Sequence, residues 1–353
     1  MSPFKASVKD EIVGEKKHVL AKNRIFFGGS FFAYLASKQY LGPILSYMHQ
    51  HGDVFESAIG INCQGPEWAN KFAKLNSMDF RKCLDFVNFD LWVKYGLKEK
   101  FHNAIEEVMS ILRVDELDQF YKIIVHHLLE EFIWMYILIG EEVFQPHSGI
   151  PSGMFGTTDL GCFIVSMLYR VVWFSSDEVD YRDPKFRFRS WNWLMTYGDD
   201  NASTTKCKWF TQNRMRDVLL NYSIEITSAS KGEELLDFTP DNEVTFLKRG
   251  FNKITILGKE VVLCPLDEDS IARSVMYTST PEEIRNGVEA SNIFDAQKQY
   301  FFHGPEVFAD RVPALRKMAE GAGIDISIIK GKWYTFDELA QQYLDGVLVT
   351  DYV

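Results

Sequence analysis

The stretch from Thr196 to Asn201, TYGDDN, sets two adjacent carboxylates behind a glycine, with apolar residues on both sides. Neighbouring carboxylates repel unless a cation or water lies between them, so a chain that keeps Asp199 and Asp200 inside an apolar stretch needs a reason to do so. NWLMTY before the pair and the residues after it, through KCKWFTQ, alternate apolar and polar positions around a Gly-Asp turn. That pattern predicts a β-hairpin with the carboxylates at its tip. Upstream, KCLDFVNFD (82–90) reads as a short strand leaving a turn, with Asp85 and Asp90 at its end. If both elements share one sheet, Asp85 and Asp199 come close enough to hold two Mg²⁺ ions, the arrangement that stabilises attacking and leaving oxygens in phosphoryl transfer. Taken alone, an Asp-Asp turn is also what a solvated loop looks like, so the weight falls on its company.

At 353 residues the chain exceeds what one core usually holds, which predicts two or three subdomains around a shared layer. With 46% hydrophobic and 14% aromatic residues it belongs with folded globular proteins, not disordered or fibrous ones. The longest apolar run, Phe132 to Gly140, is too short to cross a bilayer, and MSPFKASVKDE lacks a signal peptide's apolar core. No transmembrane segment is expected. Five cysteines without a CxxC pair argue against a zinc site and fit free thiols in the cytosol. His126 and His127 are adjacent and project differently, with no Cys or His at ligand spacing, so they read as packed or exposed histidines. The net charge of −11 counts against a broad nucleic-acid surface, but Lys5, Lys9, Lys16, Lys17, Lys22 and Arg24 crowd the first 24 residues. They form either a local basic path on an acidic body or an ordinary solvated face.

Periodicity supports a mixed α+β chain without internal repeats. Residues 31–50 carry helical spacing, 116–139 pass from helical spacing into a β-branched and aromatic run, and 147–158 form a Gly-, Ser- and Pro-rich loop feeding a buried helix over 160–174. A further helix is predicted over 210–223. EVTFLKRGF (243–251) and KEVVLCPL (259–266) read as a second hairpin, and STPEEIRNGVEA as a helix start with Thr280 as N-cap, Pro281 in the first turn and Glu283 completing a capping box. From there to Val353 the chain reads as mostly helical.

In this order the motifs resemble the RNA-dependent RNA polymerases of picorna-like positive-strand RNA viruses. YGDD is similar to that family's motif C, DFVNFD to motif A with its D-x4-D spacing, and GIPSGMFGTT to the motif B loop. KDEIVGEKKHVLAKNRIFF is similar to the basic motif F, NYSIEITSASKG to motif D, and VTFLKRGF to motif E, the primer grip. The resemblance implies a right-hand polymerase fold: a palm antiparallel sheet with helices, partial fingers and a helical thumb. Its divisions would be 1–30 for a fingers part with motif F, 31–108 for palm with motif A, 109–149 for a fingers insertion, 150–258 for palm with motifs B to E, and 259–353 for the thumb. Asp85 and Asp199 would be the main metal ligands, with Asp200 assisting. Lys231 would act as general acid toward pyrophosphate, and Lys9, Lys22, Arg24, Asp90, Ser152, Gly153 and Thr157 would bind the nucleotide, Asp90 reading its ribose. Lys248 and Arg249 would contact primer phosphates. The implied cofactor is Mg²⁺, replaceable by Mn²⁺. Implied partners are template and primer RNA, NTPs, a protein primer and other viral replication proteins, in the host cytoplasm at replication complexes.

The chain departs from the pattern at three places. Gly161 stands where the family usually has an asparagine that works on the ribose 2′-hydroxyl, leaving Asp159 or Asn201 as substitutes; Val13 replaces an arginine of motif F; and the chain starts almost at motif F, as a partial chain lacking the N-terminal fingers would. Two other classes stay open. A reverse transcriptase shares the Asp-Asp hairpin, but its motif A places a bulky aromatic where this chain has Asp90. A catalytically incomplete RNA-binding scaffold would have no reason to keep Asp85, Asp199 and Asp200.

Overall fold

The structure, a computed structural model, describes residues 3–9, 24–113, 119–229, 234–278 and 280–348, so Lys22 and Lys231 lie outside the described residues. In chain order the elements are β1 (Phe4–Val8), β2 (Ile25–Gly28), α1 (Phe31–Tyr40), α2 (Gly42–Gln50), α3 (Pro66–Leu75), β3 (Phe80–Phe86), α4 (Tyr95–Ile111), α5 (Gln119–Ile133), β4 (Ile137–Ile139), β5 (Glu142–Phe144), α6 (Thr157–Phe174), β6 (Asn192–Tyr197), β7 (Asp200–Thr205), α7 (Gln212–Leu220), β8 (Ile226–Ser228), β9 (Asn252–Ile256), β10 (Lys259–Leu263), α8 (Glu268–Met276), α9 (Glu282–Phe301), α10 (Pro305–Gly321) and α11 (Phe336–Leu344). Several shorter helical turns connect them. The chain divides into two compact units, Met1–Gly60 with Lys82–Phe238, and Ile61–Arg81 with Thr239–Val353.

The first unit is organised by a four-stranded sheet of order β6-β7-β3-β8. β6 and β7 pair antiparallel with Tyr197 opposite Asp200, which leaves Gly198 and Asp199 as a two-residue turn. β3 and β8 also pair antiparallel, Asp85 facing Thr227. Side chains alternate along a strand: Lys82, Leu84 and Phe86 of β3 are buried, the two apolar ones in the core that α6, α4 and α7 cover, so Asp85 belongs to the opposite face. A second sheet of order β2-β1-β4-β5 gathers the chain start and the residues after α5.

α6 is the core helix of this unit. Among the described residues it alone is long and apolar enough to cross a membrane, with mean hydropathy 1.2 over 18 residues, and 56% of it is buried inside the protein. Leu160, Ile164, Val165, Leu168, Tyr169 and Val172 pack inward at helical spacing, which is how a helix central to a large core comes to be this apolar.

In the second unit α3 lays Trp68, fully buried, flat on Phe251 with ring centroids 4.5 Å apart, and its indole N–H donates to the Gly250 carbonyl at 3.1 Å. The strand that pairs with β10 is β9, residues 252–256, and not the 243–251 segment expected from sequence. That segment turns back on itself: Phe246 and Arg249 exchange two backbone hydrogen bonds of 2.9 Å around Leu247 and Lys248. α9 likewise starts one residue later than predicted, with Pro281 at its N-cap and no side-chain cap bond. A complete capping box stands at α11 instead, where Thr335 Oγ1 receives the Glu338 amide and Glu338 receives the Thr335 amide.

Candidate active site

The sheet order places the two carboxylate elements as neighbours: β3, which carries Asp85 one residue before its end, runs beside β7, which begins at Asp200. One side chain locks them in register. Asn201, 1% exposed, donates through its amide nitrogen to the Leu84 carbonyl at 3.0 Å and to the Asp199 carbonyl at 2.9 Å. Its Oδ1 accepts the Tyr169 hydroxyl of α6 at 2.8 Å. The residue preceding Asp85, and Asp199 itself, are therefore tied to one amide, a buried polar group with all its main partners satisfied. Asp85, Asp199 and Asp200 keep part of their surface open. Because Asn201 faces α6, the alternation puts Asp200 on the face that Asp85 occupies.

The turn is pinned from behind by α6. Gly198 has φ +63°, and its amide donates to Cys162 Sγ at 3.2 Å. Gly161 faces it so closely that an added Cβ would lie 2.8 Å from Gly198 Cα and 3.0 Å from its carbonyl carbon. No larger residue fits without moving backbone, which is why this position carries glycine where an asparagine was looked for. Neither proposed substitute is free to replace it: Asn201 is spent on the clamp, and Asp159 is buried against His49, whose Nε2 lies 2.6 Å from its Oδ1.

On its outer edge β6 pairs with the chain around Glu56, Thr196 N–H donating to the Glu56 carbonyl at 2.9 Å and Ala58 N–H to the Thr196 carbonyl at 2.8 Å. The Glu56 carboxylate, 4% exposed, receives Arg170 Nη1 and Nη2 at 2.8 and 2.9 Å, Ser166 Oγ at 2.6 Å and Arg189 Nε at 3.1 Å. Burial raises its pKa, but the Arg170 pair above all holds it below the ordinary glutamate value. This network braces the strand that leads into Asp199 and was not anticipated from sequence.

The basic and loop residues meet around β2 and Asp90. Lys9 and Arg24 end the β1–β2 pair, joined by a 2.9 Å bond from the Lys9 amide to the Arg24 carbonyl, and both side chains are exposed. Asp90 keeps a solvent-facing edge; desolvation by the surrounding protein raises its carboxyl pKa, and Arg24 pulls it down. The Asp90 carbonyl accepts the Ile150 amide at 2.8 Å, tying motif A to the 147–158 loop. Ser152 Oγ accepts the Phe27 amide at 3.2 Å, and a Cβ on Gly153 would lie 2.1 Å from the Phe27 carbonyl oxygen. Glycine is needed there because the loop runs against β2. Thr157 Oγ1 is occupied within the loop, donating toward Pro151 and Met154 carbonyls at 3.1 and 2.7 Å.

The expected primer residues part company. Lys248 is exposed, its Nζ 3.2 Å from Ser270 Oγ. Arg249, also expected to touch primer phosphates, is 6% exposed and donates through Nη1 to the Cys264 carbonyl at 2.9 Å and Gln299 Oε1 at 3.1 Å, so it packs the second unit instead.

The family model described as viral RNA-dependent RNA polymerase matches residues 3–319. The RNA1 polyprotein of Tomato ringspot virus is 27% identical over 278 residues, covering 76% of this chain and 12% of the polyprotein. The replicase polyprotein of Drosophila C virus is 26% identical over 335 residues, covering 86% of this chain and 18% of the polyprotein. The chain thus spans less than a fifth of these relatives' length. A solved structure, the Sicinivirus 3Dpol RNA dependent RNA polymerase, superposes with a TM-score of 0.78 at 17% identity, over 99% of this chain and 68% of that one. The fold is the right-hand polymerase fold.

Proposed function

This chain belongs to the viral RNA-dependent RNA polymerase family, and from that premise we propose that it extends an RNA 3′-hydroxyl with ribonucleotides from NTPs, directed by an RNA template. The observation that carries the reading is the Asn201 clamp, which ties the backbone beside Asp85 to the backbone of Asp199 on neighbouring strands. Carboxylates gathered in this way on one sheet end are a donor set for hard divalent cations. Polymerases of this family use divalent metal ions; Mg²⁺ held by Asp85 and Asp199, or Mn²⁺ in its place, would offset the charge that develops on attacking and leaving oxygens. Asp200 adds negative potential beside them.

The remaining roles follow from position. Arg24 presents an exposed cation to Asp90, with exposed Lys9 on the paired strand and Lys22 in the same basic stretch of sequence, a set suited to a triphosphate and its ribose. Ser152 and Gly153 bring loop backbone against β2, where it can follow the nucleotide and template. Thr157 holds that loop closed, a positioning role. Lys231 is assigned as proton donor to pyrophosphate, and Lys248 as a primer phosphate contact. A protein primer, other viral replication proteins and replication complexes in the host cytoplasm complete the reading. The test is extension of a labelled RNA primer on an RNA template with Mg²⁺ or Mn²⁺, ribonucleotides against deoxynucleotides, beside Asp199→Ala. Ribonucleotide extension lost in the variant supports the proposal. A folded, RNA-binding chain with no extension makes it a scaffold, and equal use of deoxynucleotides overturns the substrate assignment.

A further inference from the structure

α4 and α5 pack against each other, and each carries a histidine followed four residues later by a glutamate: His102 and Glu106 on α4, His126 and Glu130 on α5. Positions four apart share a helix face, so the two pairs meet across the interface. His102 Nε2 lies 3.1 Å from His126 Nδ1 and 3.3 Å from Glu106 Oε1, and His126 Nδ1 lies 2.8 Å from Glu106 Oε1. Three donor atoms from two helices form a triangle with edges of 2.8–3.3 Å. An ion with tetrahedral bonds of about 2.0–2.1 Å separates its ligands by about 3.3 Å. We propose that His102, Glu106 and His126 form a binding site for a zinc-type divalent cation that staples α4 to α5.

The chemistry around the triangle favours a cation. Without one, one imidazole donates and the other accepts along the 3.1 Å nitrogen–nitrogen edge, and the Glu106 oxygen competes for the same N–H. With one, all three lone pairs point at the ion. Two nitrogens and one carboxylate oxygen suit Zn²⁺ over Mg²⁺ or Ca²⁺, which take oxygen donors. The other nitrogen of His126, Nε2, stands 3.7 Å from Glu130 Oε1, beyond hydrogen-bond reach but close enough for the carboxylate to add negative potential behind the imidazole. Glu130 also receives His127 Nδ1 at 3.2 Å. His102 is buried while the His126 and Glu106 side chains are 45% and 34% exposed, so the fourth ligand position faces water. Of the two adjacent histidines read from sequence as lacking a partner at ligand spacing, His126 faces His102 on the neighbouring helix.

The site is tested on the full chain after chelation, titrated with Zn²⁺ and with Co²⁺ in excess Mg²⁺ to fill the oxygen-only carboxylate sites. Calorimetry gives stoichiometry and affinity, visible absorption of Co²⁺ reports tetrahedral nitrogen-containing coordination, and the thermal midpoint reports the staple. One ion per chain is expected, with a raised midpoint, both lost in His126→Asn and in Glu106→Gln. Glu130→Gln should weaken binding by about tenfold or more while sparing stoichiometry. These positions are partly exposed, so the variants fold. Absence of stoichiometric binding in the unaltered chain overturns the proposal. So does a Co²⁺ spectrum that persists in the His126→Asn, Glu106→Gln double variant.

Discussion

The Gly198–Asp199 turn of the first unit and the Leu247–Lys248 turn of the second are both two residues long, and they are built on opposite terms. In the first, glycine supplies the positive φ, and Gly161 of α6, having no Cβ, comes against its backbone. In the second, two residues with full side chains take φ values of +54° and +57°, where a hairpin with both central residues left-handed ordinarily uses Asn-Gly. Each such residue costs about 1–2 kcal/mol. Both turns are backed by a buried polar residue, Asn201 in one and Arg249 in the other. The first turn removes side chains to bring backbone close; the second tolerates strain to keep a lysine at its tip. Stored strain of that kind is a reason to look for use, which makes Lys248 the place to test the proposed primer role.

The largest effect should come from removing the brace behind the first turn. Glu56→Ala should cost about 3 kcal/mol, the lower end for a broken buried pair because Arg170 and Arg189 keep an edge to water, read as a shift in denaturant midpoint. Because the folded-state pKa of Glu56 lies below its ordinary 4.5, its contribution is present above that pH and fades as the pH falls through the folded value. Glu56→Gln should flatten the acid limb of a stability-against-pH curve. A variant as stable as the parent would remove the brace from the account.

Next is Gly161→Asn, which restores the residue the family usually carries. It should destabilise by about 1–3 kcal/mol through overpacking and lower primer extension, because the new Cβ meets Gly198 backbone; improved sugar selection with unchanged stability would sink the packing explanation. Lys248→Gly should do the reverse for the second turn. Relief of its left-handed φ should stabilise by about 0.5–1 kcal/mol, while RNA affinity falls and the slope of log affinity against log salt drops by about 1. Of comparable size is Gly198→Ala, at about 1 kcal/mol from the positive φ alone, since the added Cβ meets only Thr158 Cγ2 at 3.9 Å. If Gly198→Ala cost more than Gly161→Asn, the contrast between the two glycines would be inverted.

Period-two and period-3.6 patterns were sufficient for the β6–β7 hairpin, β3 and α6, because Leu194, Leu84, Phe86 and the apolar face of α6 point into one core. The second hairpin was misplaced because Val244 and Phe246 have strand-like character, and nothing in Leu247-Lys248 signals a turn without Gly or Asn. Lys248 and Arg249 are adjacent cations in sequence, and only the packing around Cys264 and Gln299 tells them apart. Gly161 read as a lost function because its reason is a contact with Gly198, far along the chain. The Glu56 network was hidden for the same cause. The i,i+4 His-Glu pairs of α4 and α5 were visible, but their meeting was not.

The central claim is that Asp85 and Asp199 act together on one set of metal ions, and a double-mutant cycle on the rate of single-nucleotide addition in Mn²⁺ tests it. Asp85→Asn and Asp199→Asn should each lower the rate by orders of magnitude, and the double variant should be no slower than the worse single one, as expected of residues that work as a unit. A single variant retaining the parent rate, or losses that multiply in the double variant, would contradict it.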